Sequence, residues 1–237
     1  MLLYILRHGD PDYETDSLTE KGIKQAQALA KRLSVNGLDW LYSSPLGRAR
    51  QTAKATSELL NKPVEIEEWA SEWPAFRDMS VIYEDGHRGW IFHQQRTNLL
   101  NDDTISLGRD WASAGCLQGY SNDFKGAVKR VTDGSDDFLA RQGYKREGSI
   151  YRITRANDDR IAVFCHQGVG VIWLAHLLNI PNLIFWSGFD LTHSGITILE
   201  FINYENGITN PMCLTLSDTS HIYKDDLPLE YNNETKI

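Results

Sequence analysis

Short apolar runs alternate along the chain with segments in which apolar residues recur every three or four positions. Residues 2–6 are continuously apolar and stop at Arg7-His8-Gly9, which predicts a buried parallel strand. The polar stretch 10–17, which carries Pro11, reads as a loop. Thr19, followed by Glu20, Lys21 and Gly22, opens a helix with Ala26, Leu29, Ala30 and Leu33 on one face, and Asn36-Gly37 closes it. The same alternation then repeats. A strand over 40–42 leads through Ser43-Ser44-Pro45 into a helix over 48–60, and a third strand follows over 64–66.

Between 69 and 119 the rhythm breaks into aromatics, arginines and glycines with no sustained period, so this segment reads as an insertion or cap. A helix over 124–139, a buried strand over 161–165, a helix over 169–178 and a β-rich, edge-proximal run over 195–201 complete the pattern. The polar tail from Asp225 reads as loose. Alternating strands and helices joined by short loops imply βαβ units. The expected architecture is a single α/β domain over 1–237. It is a three-layer sandwich, a mostly parallel central sheet with helices on both faces and a cap inserted at about 69–120.

Composition narrows the function without giving it. Apolar residues at 41% and charged residues at 24% are ordinary for a globular protein. A net charge of −8 argues against nucleic acid or an anionic membrane as partner, yet arginines converging in one pocket can still attract a small anion. Cys116, Cys165 and Cys213 are odd in number and widely spaced, which suggests neither a disulfide framework nor a zinc cluster and fits the cytoplasm. No apolar stretch approaches the ~20 residues that span a bilayer. A homodimer stays open.

Three segments at strand ends carry candidate chemistry. Open α/β sheets place ligands beyond the carboxyl ends of their strands. His8 stands there, where an unprotonated imidazole nitrogen can attack phosphorus, and Arg7 offers a planar fork to phosphate oxygens. Ser43-Ser44-Pro45-Leu46-Gly47-Arg48 starts a helix whose N-terminus and Arg48 suit an anion. Cys165-His166-Gln167-Gly168 repeats the arrangement, and a second histidine facing the same crevice suits oxyanion stabilisation.

With these residues in view, the sequence resembles the histidine phosphatase superfamily, in its phosphoglycerate mutase-like branch. The resemblance rests on Arg7-His8-Gly9, Leu18-Thr19-Glu20-Lys21-Gly22, Ser44-Pro45-Leu46-Gly47-Arg48-Ala49 with Gln51-Thr52-Ala53, and His166 with Gly168. It implies a phosphohistidine on His8, a phosphate pocket of Arg7, Arg48 and His166, a carboxylic acid soon after the third strand, and neither metal nor cofactor. Asp10-Pro11-Asp12-Tyr13-Glu14 replaces the mutase pattern and looks like the phosphatase branch.

The expected activity is hydrolysis of a small phosphorylated metabolite. A phosphoglycerate mutase-type transferase and a silent phosphate-binding domain are the alternatives. Departure of an alkoxide needs a proton. Glu72 is the candidate acid, Asp78 and Glu84 are alternatives, and Glu67 and Glu68 read as surface charges. The cap, with Trp73, Phe76, Trp90, Phe92, Trp111 and its arginines, is expected to recognise the organic part of the substrate. His87, His93, His176 and His221 read as packing or surface residues, and His193 as a minority candidate for the pocket.

Overall fold

Six strands, β1 (Leu2–Arg7), β2 (Trp40–Ser43), β3 (Val64–Ile66), β4 (Arg160–Cys165), β5 (Ile196–Glu200) and β6 (Met212–Asp218), form one sheet in the order β6-β5-β1-β4-β2-β3. The structure, a computed structural model, describes residues 1–232 and 235–236. β1, β4, β2 and β3 pair in parallel, while β5 runs antiparallel to both β1 and β6. The sheet is therefore mostly parallel, with its antiparallel pairings at one edge.

Side chains alternate along a strand, so β1 feeds two cores. Leu3 and Ile5 join a larger cluster on one face, and Tyr4 and Leu6 a smaller one on the other. The smaller core is closed by α1 (Glu20–Ser34) and α2 (Gly47–Leu60), through Leu29, Leu33 and Ala53. Across the sheet lie α3 (Glu72–Met79), α4 (Phe124–Arg141), α5 (Gln167–Leu177) and α6 (Asn182–Gly188), which contribute Met79, Phe138, Ile172 and Phe185. Helices on both faces give the three-layer α/β sandwich. α5 is buried on nearly every side, which fits its lack of a polar face. No described helix is long and apolar enough to cross a membrane.

The segment after β3 holds α3, a hairpin pairing Ser80–Ile82 with Arg88–Trp90, and several short helical turns. Trp90, Phe92 and Trp111 from this segment are buried in the larger core.

Four local expectations change. Residues 10–17 are not wholly loop, since Pro11–Asp12 pairs with Ser17–Leu18. A hairpin of Tyr144–Glu147 and Ile150–Ile153, turning at Gly148 with φ +64°, precedes β4. β6 and α6 also escape the apolar pattern, β6 because it is a half-exposed edge strand and α6 because it is short. As far as Asn232 the tail is not loose. Lys21 Nζ donates to Glu230 Oε2 at 2.5 Å, and Asn232 bonds both Thr192 and Arg7, so its polar groups find partners on the protein.

Candidate active site

Arg7 on β1 lies opposite Cys165 on β4, so the residues that follow, His8 and His166, leave the sheet side by side. The His8 backbone N–H donates to the Cys165 carbonyl at 3.0 Å, and the two imidazole centroids are 5.1 Å apart. Both rings are buried.

His8 Nδ1 lies 2.7 Å from the Gly9 carbonyl. A carbonyl oxygen only accepts, so Nδ1 carries the hydrogen and Nε2 presents its lone pair. Burial holds the His8 pKa well below its ordinary value, and the nearby charges of His166, Arg7 and Arg48 act in the same direction. The imidazole is therefore neutral, with Nε2 the available nucleophile.

His166 is the opposite tautomer. The Leu46 N–H donates to Ser44 Oγ at 3.3 Å, and Ser44 Oγ lies 2.7 Å from His166 Nε2. The Leu46 N–H takes one lone pair of Oγ, and with the serine hydroxyl directed at Nε2, the one acceptor beside it among the described residues, the hydrogen of the neutral ring stands on Nδ1. Among the described residues Nδ1 has no hydrogen-bond partner; its approach to Glu72 Oε2 is 3.6 Å, too long for one. Burial, followed by Arg48 and Arg7, keeps His166 neutral as well. A buried, unpaired N–H beside a nucleophile is suited to an anionic oxygen.

Arg48, in the first turn of α2, holds the centre together. Its Nε donates to His8 Nε2 at 3.2 Å, Nη1 to Asp16 Oδ1 at 2.6 Å and Nη2 to Glu72 Oε2 at 2.9 Å. Arg7 Nη2 lies 2.7 Å from His193 Nε2, and Nη1 donates to the Leu191 carbonyl and to Asn232 Oδ1. Glu72 opens α3, and its Oε1 accepts from the Gly168 N–H at 2.9 Å, in the first turn of α5. A Cβ on Gly168 would stand 2.2 Å from Cη2 of Trp90, so only glycine lets the indole lie against this turn.

All five residues singled out from the sequence, Arg7, His8, Arg48, Glu72 and His166, converge here. The alternatives for the acid do not. Asp78 pairs with Arg77 and Arg130, and Glu84 is exposed. Glu67 is no surface charge: it is buried and accepts from Arg141 and from the Trp69 indole. The start of α2 also differs from expectation, because the Gly47 N–H donates to Asp16 Oδ2 at 2.6 Å. The chain's own carboxylate already occupies that anion position.

Sequence reasoning missed Asp16 and Asn232, gave the Ser44 hydroxyl no role, and gave His193 little weight. His193 is buried, with its ring centroid 5.7 Å from that of His8. Only its position just before β5 hinted at this.

Nitrogen or oxygen atoms of His8, Glu72 and His166 lie within 4.8 Å of one another, close enough to bind one metal ion. Arg48 already donates to His8 Nε2 and Glu72 Oε2, and the Arg7 charge reaches both histidines. A cation would meet two guanidinium groups there, so the donor set fits an anion better than a metal.

Residues 3–94 match the family model of the histidine phosphatase superfamily (branch 1). Over this stretch the chain is similar to the histidine phosphatase superfamily. Among the relatives, the adenosylcobalamin/alpha-ribazole phosphatase of Salmonella typhi is 28% identical over 196 residues, covering 78% of this chain and 84% of the relative. Phosphoserine phosphatase 1 of Hydrogenobacter thermophilus is 32% identical over 104 residues, 41% of this chain and 47% of the relative. The phosphoserine phosphatase of Entamoeba histolytica, solved with 3-phosphoglyceric acid, superposes with a TM-score of 0.61 at 21% identity, over 93% of this chain and 98% of the other. That superposition shows that the chain shares the fold of the solved protein.

Proposed function

We propose that the protein is a metal-independent phosphomonoester hydrolase that forms a phosphohistidine on His8 and acts on a small phosphorylated metabolite. The observation that carries this reading is the neutral His8, with Nδ1–H bound to the Gly9 carbonyl and Nε2 facing Arg48, beside the unpaired Nδ1–H of His166. Such a cluster offers a lone pair at one point and positive or N–H groups around it, which is what an incoming phosphoryl group requires.

In the first step His8 Nε2 attacks phosphorus, a P–N bond forms and the ester P–O bond breaks. Arg7, Arg48 and His166 Nδ1–H hold the non-bridging oxygens. Glu72, anchored by the Gly168 N–H, gives its proton to the departing oxygen. In the second step water attacks phosphorus, Glu72 takes the water's proton, and the P–N bond breaks to release inorganic phosphate and restore His8. Relatives named phosphatases match over more of the chain than those named probable phosphoglycerate mutases, and this, with Asp10-Pro11-Asp12 after Gly9, favours hydrolysis over return of the phosphoryl group. Three free cysteines fit a cytoplasmic location.

The 69–120 segment supplies the wall for the rest of the substrate: Phe92, His93, Gln94 and Arg96 line a cavity together with Gln167, the residue after His166.

Rapid quenching with radiolabelled substrate tests the mechanism. The wild-type protein is expected to yield an acid-labile, base-stable phosphoenzyme that His8→Ala does not form. Near-normal turnover by His8→Ala overturns the reading.

A further inference from the structure

The cavity beside the phosphoryl centre has a volume of about 430 Å³ and is bounded by Phe92, Trp186 and Phe189 as well as by polar groups. It adjoins the proposed reacting groups. Gln167 on its wall follows His166 directly, and His93 is near enough to feel the charges of Asp190, Arg7 and Glu72. Asn232 also joins cavity and centre, accepting from Arg7 and donating to Asp190 Oδ2 at 3.5 Å.

Asp190 gives the cavity its chemical character. The carboxylate is half-buried, and its Oδ1 accepts from Gln167 Nε2 at 2.5 Å and from the Leu191 N–H at 2.6 Å. Its Oδ2 has only a 3.5 Å contact with Asn232 Nδ2, and among the described residues no cationic side chain pairs with Asp190. Arg96, the other charged group on the lining, is exposed, where water and salt screen it, and His93, whose pKa is lowered chiefly by burial, is neutral. The inner wall thus combines aromatic faces with one unneutralised carboxylate oxygen. A hydrogen-bond donor on the ligand gains there, and a second anion is repelled.

We propose that this cavity is the subsite for the organic part of the substrate, and that Asp190 selects esters bearing a donor, an ammonium or a hydroxyl group, against esters bearing a second negative charge. The inference rests on the reading of the centre as a phosphomonoester site and adds to it a substrate class and a residue that sets it.

The test compares glycerol 3-phosphate, phosphoethanolamine and 3-phosphoglycerate in the wild-type protein and in Asp190→Asn, which keeps Oδ1 as acceptor and removes the charge. In the wild type the two esters without a second anionic group are expected to exceed 3-phosphoglycerate, which carries a hydroxyl together with a carboxylate, in kcat/KM by about tenfold or more, and Asp190→Asn to narrow that ratio by about tenfold. A larger loss for phosphoethanolamine assigns the ammonium, and a larger loss for glycerol 3-phosphate the hydroxyl, either in support. Turnover of p-nitrophenyl phosphate reports the phosphoryl chemistry separately. If it is absent, the hydrolase reading fails, and calorimetric binding of the three esters to His8→Ala with and without Asp190→Asn still decides the selectivity. Preference for 3-phosphoglycerate in the wild type, or a ratio unmoved by Asp190→Asn in both turnover and binding, overturns the proposal.

Discussion

The Nε of Arg48 donates to Nε2 of His8 across 3.2 Å, so the guanidinium faces the nitrogen that carries the proposed reaction. The same side chain binds Glu72 and Asp16, which makes its planar fork a gauge of distance between nucleophile and acid. Arg48→Lys keeps the charge and loses the fork. It is expected to lower kcat by about a hundredfold or more, as the loss of one preorganised donor does elsewhere. Steady-state kinetics with p-nitrophenyl phosphate measure this, and a loss below about threefold contradicts it.

Glu72→Gln separates the acid from a merely structural residue. Turnover of an alkyl phosphate should fall by two or more orders of magnitude, roughly the span of general acid catalysis. That of p-nitrophenyl phosphate, whose leaving group needs little protonation, should fall far less. Equal losses on both substrates would assign Glu72 a binding or structural role.

Gly168 and Trp90 should be energetically coupled. A methyl group on Gly168 meets the indole, which is itself held against Phe92 and Phe76 at ring-centroid distances of 4.9 and 5.1 Å. Gly168→Ala is expected to destabilise the protein by about 1–3 kcal/mol, the usual cost of overpacking. In a Trp90→Leu background that cost should shrink, and urea unfolding of the four proteins in the cycle reads the coupling. Additive losses would mean that the two residues do not press on each other.

Stability should fall as the pH drops below neutrality. His221 is buried, its Nε2 lies 2.8 Å from Ser194 Oγ, and burial pulls its pKa down to about 4. Unfolded histidine titrates near 6.5, so between those values the unfolded chain binds a proton that the folded protein refuses, and stability rises with pH across the window. This single group costs about 2 kcal/mol at pH 5 relative to neutral pH. The lowered values of His8 and His166 act with the same sign. His221→Asn should flatten the dependence of denaturation midpoint on pH between 7 and 5, and an unchanged slope would refute the assignment.

The parts of this fold that read directly from the chain are those whose side chains face one environment along their whole length. β1 and β4 are continuous apolar runs because both faces are covered, and α1 shows its period because only one face is. β6 alternates between half-exposed positions at the sheet edge, so its residues lack a comparable contrast. In the site, His8, His166 and Arg48 were legible because each follows a strand end or starts a helix. Asp16, His193 and Asn232 were not, since each reaches the centre through a contact between segments distant in sequence. Asp16 meets Arg48 across 32 positions and Asn232 meets Arg7 across 225.

The hand-off between Arg7 and Asn232 changes what binding means for this protein. Arg7 offers its Nη groups to Leu191, His193 and Asn232, all acceptors or ring nitrogens of its own chain, and the whole centre is buried. A phosphoryl oxygen of the proposed substrate that took an Nη position would displace an occupant, whereas the buried Nε–H has no partner among the described residues and is free to receive one. Ground-state affinity at Arg7 would then combine an unopposed contact at Nε with an exchange against the Asn232 carboxamide at Nη1. The exchange gains as negative charge accumulates on the oxygens along the proposed reaction path, so its share of the grip would be stronger in the transition state than in the ground state.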